Sequence, residues 1–347
     1  MDYNELIVLN NEKVSKSDNE YYCRNYNFKI LPEGLNNFFK VTYIVRKSNL
    51  KENHILKLDN VMTASNIFEF IKFLFSTFKI KNSKYFIITI TPYTFISFLF
   101  LLLFKKKIFI YLISSGHEEW KYILGPWFSW VYHIMFKIVT SNSTVITLHE
   151  RLYKNKNCNV ITSSTLDEYW FQDFKTPKLD KIRFLYVARI NPEKGIYDFL
   201  KLFKKIKIDA EISIIGKTKN LSLQTEFKKL IANNTNINFP GYISEREKLI
   251  ETYDAHNILI LPSYTEGQPY VVDEALARRR PVLIFEDIDH IIKGRKGVFI
   301  AKRNAESLVE KSNLIIKNYK QIQKDMEKNN LPLRKDMFEQ ISKIIKK

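Results

Sequence analysis

At 347 residues the chain is long for one hydrophobic core and comfortable for two. A hydrophobic content of 45% is that of an ordinary globular protein, and two cysteines, Cys23 and Cys158, make neither a metal-ligand spacing nor a disulfide framework, so a reducing compartment is expected. The net charge of +18 invites a nucleic-acid reading, but it rests on 43 lysines against 12 arginines and is spread evenly: 23 basic against 15 acidic residues over 1–178, and 32 against 22 over the rest. No basic stripe stands out, so no nucleic-acid partner is expected; a diffuse positive surface suits anionic lipid headgroups at least as well.

The first residues, Met1-Asp-Tyr-Asn-Glu5, have no basic n-region and no apolar h-region, so no signal peptide is expected. Short β-rich runs then alternate with helical lengths: Leu6–Leu9, Val41–Val45, Tyr85–Ile90, Ile108–Ile113 and Thr144–Leu148. The stretch Tyr85–Phe104, followed by three lysines, is long enough to be a membrane-span candidate. Pro92 splits it, and strand, helix, strand is the better parse. The aromatic stretches Trp120-Lys-Tyr122 and Pro126-Trp-Phe-Ser-Trp130 look exposed beside cations, an interfacial signature that favours peripheral association with the inner face of a membrane, although such stretches are more often core. His133 lies in an aromatic helical stretch and reads as core.

The rhythm repeats at Arg183–Val187, Glu211–Ile215, Ile237–Phe239, Ile258–Leu261, Pro281–Phe285 and Val298–Ala301. Strands separated by helices argue for an α/β protein with two doubly wound parallel sheets. The polar run Lys175–Lys181, with a proline, sets the expected domains at 1–178 and 179–330, with a helix over 331–347 that packs back on the first domain or lies on the surface. Two such domains facing each other make a cleft at the C-terminal edges of their strands.

Two constellations carry chemistry. Arg189 and Lys194 stand on a loop shaped by Pro192 and Gly195 directly after a strand, where a fork of donors and a point charge suit a diphosphate. In a chain with 55 cations such a pair is ordinarily solvated surface. Glu266 and Glu274 lie eight positions apart around a Gly-x-Pro turn, with a helix expected over Val271–Arg278. A strand, a turn and a helix N-terminus leave free N–H groups for an anion, and two carboxylates suit a polyhydroxylated ligand. With only 9 glycines in the chain, Gly195, Gly216, Gly241 and Gly267, all at ends of apolar runs, suggest loops at one edge of a parallel sheet.

The ordered pieces Phe184–Gly195, Ile214-Ile-Gly216, Phe239-Pro-Gly-Tyr-Ile243, Leu261-Pro-Ser263, Glu266-Gly-Gln-Pro269, Glu274-Ala-Leu-Ala277 and Pro281-Val-Leu283 resemble the nucleotide-sugar domain of glycosyltransferase family 4 over about 140 residues. The resemblance implies a GT-B fold, two Rossmann-like domains facing across a cleft, and a retaining transferase using UDP- or GDP-sugar. It implies that Glu266 and Glu274 are the family's Glu-x7-Glu pair, the first on the donor sugar and the second on the ribose. It places Arg189 and Lys194 on the diphosphate, offers backbone N–H groups from Gly267, Gln268, Pro-flanked Tyr270 and Val271 around Pro269, sets Gly216 beside the site, and has Tyr242 and Ile243 cradle the base. His117, after the strand Ile108–Ile113, falls where the family has a histidine on the donor sugar.

Two departures leave the first-domain side open: Asn10-Asn11-Glu12 stands where the family has a glycine pair, and Val160–Thr165 replaces its Asn-Gly pair. The cations Arg189 and Lys194 can serve the diphosphate without a metal, so neither metal nor cofactor is expected. The expected acceptor is a saccharide or lipid-linked saccharide of bacterial surface polysaccharide synthesis, such as lipopolysaccharide or capsule, with an anionic membrane surface as a further partner. The rival reading is a catalytically silent sugar-nucleotide-binding protein of the same fold.

Overall fold

The computed structural model describes residues 5–50, 52, 54–113, 116–117, 120, 126–148, 152–153, 158–218, 220–232 and 234–347. The chain divides into two compact units: unit 1, Met1–Ser163 with Lys335–Lys347, and unit 2, Ser164–Arg334. The division falls at Ser163/Ser164, ahead of the expected 178/179. The residues between are tied to unit 2: Leu166 and Trp170 enter its core, and buried Arg278 donates to the carbonyls of Trp170, Gln172 and Asp173.

Unit 1 is built on β1 (Glu5–Ser17), β2 (Glu20–Cys23), β3 (Lys40–Lys47), β4 (His54–Leu56), β5 (Asn60–Ala64), β6 (Lys84–Ile88), β7 (Ile108–Leu112), β8 (Thr144–Thr147) and β9 (Asn159–Val160). A parallel run orders them β5-β3-β1-β6-β7-β8-β9, and β2 and β4 add antiparallel beside the far end of β1. Side chains alternate across a strand. Leu6 and Val8 therefore pack on one face, with Met337, Phe338, Ile341 and Ile345 of the helix Arg334–Lys346. Ile7 and Leu9 pack on the other, under the helices Ile67–Ser76, Pro92–Leu103 and Pro126–Ser141. Both faces are covered, which is why the strands read as continuous apolar runs.

The span candidate resolves into β6 and a helix of 12 residues. Pro92 opens that helix inside a capping box of Thr91 and Thr94. Among the described residues no helix is long and apolar enough to cross a membrane.

Unit 2 carries β10 (Ile182–Val187), β11 (Ala210–Ile215), β12 (Ile237–Gly241), β13 (Ile258–Leu261), β14 (Val282–Phe285) and β15 (Val298–Ala301), all parallel, in the order β12-β11-β10-β13-β14-β15. The strand sequence reverses direction between β10 and β13, the place where ligands bind in open parallel sheets. Unit 1 reverses in the same way between β1 and β6.

Candidate functional site

In unit 2 the reversal brings two loops together. The loop after β10 makes a single tight turn, Pro192–Lys194, and closes at Gly195 with φ +68°. A Cβ at Gly195 would lie 1.9 Å from the carbonyl oxygen of Pro262, just past β13, so only glycine fits here. This close approach seats Lys194 against the loop after β13. Its Nζ donates to Glu266 Oε1 at 2.7 Å, and Ser263 Oγ donates to the same oxygen at 2.6 Å. The pair is largely buried, with side-chain exposures of 16% for Lys194 and 9% for Glu266. A ring nitrogen of His290 lies 2.9 Å from the Glu266 backbone carbonyl, and Arg303 donates to the Pro262 carbonyl at 3.0 Å. Two carbonyls and a carboxylate of this loop are thus each in hydrogen-bond contact with a side chain.

The helix after this loop spans Tyr270–Ala277, one residue ahead of the expected Val271–Arg278. Its N-cap is Pro269, with no side-chain cap, and the Pro269 carbonyl accepts from the Val272 N–H at 3.1 Å. Gly267 is exposed, Gln268, Tyr270 and Val271 are half-buried, and Pro269 is buried. Glu274 lies on the inward side of this helix. Its Oε1 accepts from Thr165 at 2.9 Å and its Oε2 from Tyr253 at 2.9 Å. Burial holds its carboxyl above the ordinary value, against the pull of those two hydroxyls. Each oxygen keeps a further lone pair for a ligand hydroxyl.

The remaining expected residues lie on the same sheet edge. Gly216 follows β11, pressed so close to the Ala188 carbonyl that a Cβ would come to 2.0 Å. Tyr242 is exposed after β12, with Lys217 Nζ 4.1 Å from its ring centre, and Ile243 beside it is half-buried. Arg189 is exposed, 3.8 Å from Glu193. The geometry therefore joins Lys194 to Glu266 directly and leaves Arg189 out in solvent. Sequence reasoning passed over Ser263, Thr165, Tyr253, His290 and Arg303. Thr165 belongs to the stretch that replaces the Asn-Gly pair, and that departure was the one available signal.

Unit 1 holds a cavity of about 380 Å³ at its own reversal, lined by Asn10, Glu12, Phe28, Thr91, Trp120 and Tyr132 among others. The structure corrects the expectation that the first strand stops at Leu9. It continues to Ser17, with a break in register between Leu9 and Lys13. Asn10, Asn11 and Glu12 form that bulge, so a kinked strand stands where a glycine turn was expected. Glu12 Oε1 accepts the N–H groups of Arg24 at 3.1 Å and Asn25 at 2.9 Å, while burial raises its carboxyl above the ordinary value. Thr89 on the wall of the cavity has φ +61°, a strained setting for a β-branched residue.

His117 lies in unit 1, its Nε2 3.3 Å from His133 Nδ1 and its ring edge-on to Tyr132 and Phe136. His133, expected in the core, is exposed, because Tyr132, Met135 and Val139 take the inward side of its helix. Trp120, expected on the surface, is half-buried against Tyr132 and lines the cavity. Lys121 and Tyr122 lie outside the described residues; Trp127, Phe128 and Trp130 are exposed.

Residues 168–331 match the sequence family described as glycosyl transferases group 1. An uncharacterized glycosyltransferase of Haemophilus influenzae is 26% identical over 190 residues, 52% of this chain and 52% of that protein. The N,N'-diacetylbacillosaminyl-diphospho-undecaprenol alpha-1,3-N-acetylgalactosaminyltransferase of Campylobacter jejuni is 27% identical over 141 residues, 39% of this chain and 36% of that protein. The chain thus spans from about a third to about half the length of these curated relatives. The crystal structure of Anabaena HepE in complex with UDP covers 99% of both chains, with a TM-score of 0.71 at 10% identity. The fold is GT-B. Within a GT-B chain the loops after β10 and β13 are the matched region's own strand-end loops, and Lys194 and Glu266 both fall inside it.

Proposed function

We propose that the chain is a retaining glycosyltransferase of family 4 that moves a sugar from a UDP- or GDP-sugar to a saccharide or lipid-linked saccharide. The Lys194–Glu266 pair at the strand reversal of unit 2 is the observation that carries this reading. A cation that grips a diphosphate and a carboxylate that orients sugar hydroxyls must stand beside each other, since the bond to be broken joins sugar to phosphate.

In the transfer, the bond between the anomeric carbon and the phosphate oxygen breaks, and its electron pair leaves with the diphosphate. Lys194, Arg189 and the helix N-terminus after Gly267 stabilise that growing negative charge by preorganised electrostatics. The acceptor hydroxyl approaches the same face, its oxygen bonds to the anomeric carbon, and its proton passes to the departing phosphate oxygen. This route retains configuration and asks for no protein nucleophile and no metal. Glu266 orients the sugar, Glu274 receives the ribose, Tyr242 and Ile243 flank the base, and Gly216, Gly267, Gln268 and Pro269 shape the walls. On this reading the unit 1 cavity takes the acceptor, with Glu12 and Asn10 as hydroxyl partners and Trp120 as a ring platform.

The acceptor class draws support from the Campylobacter jejuni relative, whose name specifies a diphospho-undecaprenol-linked sugar. A role in bacterial surface polysaccharide synthesis draws support from a Bacillus subtilis relative, 27% identical over 134 residues, whose name specifies teichuronic acid biosynthesis. The test is a screen of UDP- and GDP-sugars, with extracted lipid-linked saccharides as acceptors, reading nucleoside diphosphate release. One donor class is expected to turn over. Tight nucleotide binding without turnover of any donor would favour a silent sugar-nucleotide-binding protein.

A further inference from the structure

A helix packed on a sheet normally turns its polar side outward. Three helices of unit 1 are apolar outward as well. Ile67–Ser76, Pro92–Leu103 and Pro126–Ser141 lie side by side over one face of the sheet, the middle one touching both others. Their inward residues, such as Phe70, Phe98 and Met135, fill the core. Their outward stripes stay apolar: Phe68 is 84% exposed, Leu103 72%, Trp127 84% and Trp130 63%, with Leu99 and Phe104 also exposed. Along the middle helix Ile96, Leu99 and Leu103 recur at helical spacing on the solvent side, and this helix carries no charged residue at all. Phe75 and Phe104 join the first two helices in an aromatic seam at 5.7 Å. Scattered exposed apolar residues are ordinary; three adjacent apolar stripes mark a surface that meets a partner.

The charges around this face point to the partner. Segments 67–81, 92–107 and 126–141 contain Lys72, Lys79, Lys81, Lys105, Lys106, Lys107 and Lys137 against a single carboxylate, Glu69. Glu69 is occupied by the Ser65 N–H, and Lys106 by the Phe78 carbonyl, whereas Lys72, Lys105, Lys107 and Lys137 are exposed. Apolar stripes that include two tryptophans, rimmed by lysines, match the chemistry of an anionic bilayer surface, apolar below and negative above.

We propose that these three helices dock unit 1 on an anionic lipid bilayer, with Phe68, Leu99, Leu103, Phe104, Trp127 and Trp130 in the headgroup boundary. This extends the docking surface well beyond the tryptophan stretch alone, to two helices that lie earlier in the chain. It is independent of the donor reading, because none of these residues is assigned to the donor, and all belong to unit 1.

The experiment is sedimentation of the full chain with vesicles of phosphatidylcholine, alone or mixed equally with phosphatidylglycerol, at low and high salt. The protein is expected to sediment with the anionic vesicles and to be partly released by salt, which shortens the Debye length. A combined Leu103→Gln, Trp127→Ser, Trp130→Ser variant is expected to lose about tenfold or more of that partitioning, since buried apolar contact scales the binding. Lys105→Gln with Lys107→Gln is expected to erase the preference for anionic over neutral vesicles. Thermal melts check that each variant is folded, and the salt response of the unmodified chain stands without them. A protein that stays in the supernatant with both vesicle types overturns the proposal. So does a folded triple variant that sediments as fully as the unmodified chain. Self-association in ultracentrifugation that the triple variant abolishes, without vesicle binding, assigns the face to a second copy and also overturns it.

Discussion

Lys194 and Glu266, 72 residues apart in the chain, meet at 2.7 Å because Gly195 lets the loop after β10 press onto the carbonyl of Pro262. The contact sits where the strand order reverses, so a donor bound there meets a cation and a carboxylate at once. Replacing either residue by alanine removes one preorganised contact. Glu266→Ala and Lys194→Ala are each expected to lower turnover by about a hundredfold or more, the usual loss for one such group. Steady-state nucleoside diphosphate release, with circular dichroism to check folding, decides this. Near-normal rates in both soluble variants would remove the assignment.

Much of this site was legible beforehand because glycines and carboxylates at strand ends leave marks in a sequence. The strands β13 and β15 fall where the apolar runs put them, since a strand covered on both faces has no other pattern. The bulge at Asn10–Glu12 was not legible: a strand that kinks and continues has the same polar residues as a turn. His133 was misplaced because an aromatic-rich helix with two apolar sides does not reveal which side is inward. The partners of Glu274 were hidden because Thr165 and Tyr253 reach it from 109 and 21 residues away, and no local spacing records such contacts. The division of the chain was hidden for the same reason, since Arg278 binds the 170–173 stretch from 105–108 residues away.

The stability of unit 2 depends on a charge cluster that the chemistry does not use. Arg278 and Arg280, 1% and 2% exposed, both pair with Asp254, itself 3% exposed, at 2.6 and 3.2 Å. Removing the carboxylate leaves two guanidinium groups buried without their counter-ion. Asp254→Ala is expected to destabilise the protein by about 3–5 kcal/mol, the cost of breaking a buried pair. A denaturant midpoint unchanged from the parent would contradict it.

Glu274 gives the protein a pH signature. Its folded-state carboxyl titrates above the ordinary 4.5, with burial as the leading cause. The folded form therefore holds its proton to higher pH than the unfolded chain does. Stability from this group is fully present below the unfolded value and is lost as pH rises through the folded one. A Glu274→Gln variant lacks that loss. The melting temperature of the variant minus that of the parent is expected to be smallest in acid and to grow as pH rises, then level off. A difference that is flat across this window, or that shrinks as pH rises, would show that the carboxyl titrates normally.

On the proposed mechanism the diphosphate is met by side-chain cations and helix N–H groups, a set that does not call on a Lewis acid. Transfer is expected to proceed in EDTA at an undiminished rate. Loss of activity in EDTA that magnesium or manganese restores would require a metal in the mechanism.

The central claim is that unit 2 holds a nucleoside diphosphate through Lys194, and calorimetric titration of UDP and of GDP into the full chain tests it most directly. One of the two is expected to bind with a saturable heat, and Lys194→Ala is expected to weaken that binding by about tenfold or more, as loss of a charge-assisted contact to phosphate does. Absence of saturable heat for both nucleotides, or binding that Lys194→Ala leaves unchanged, would contradict the account.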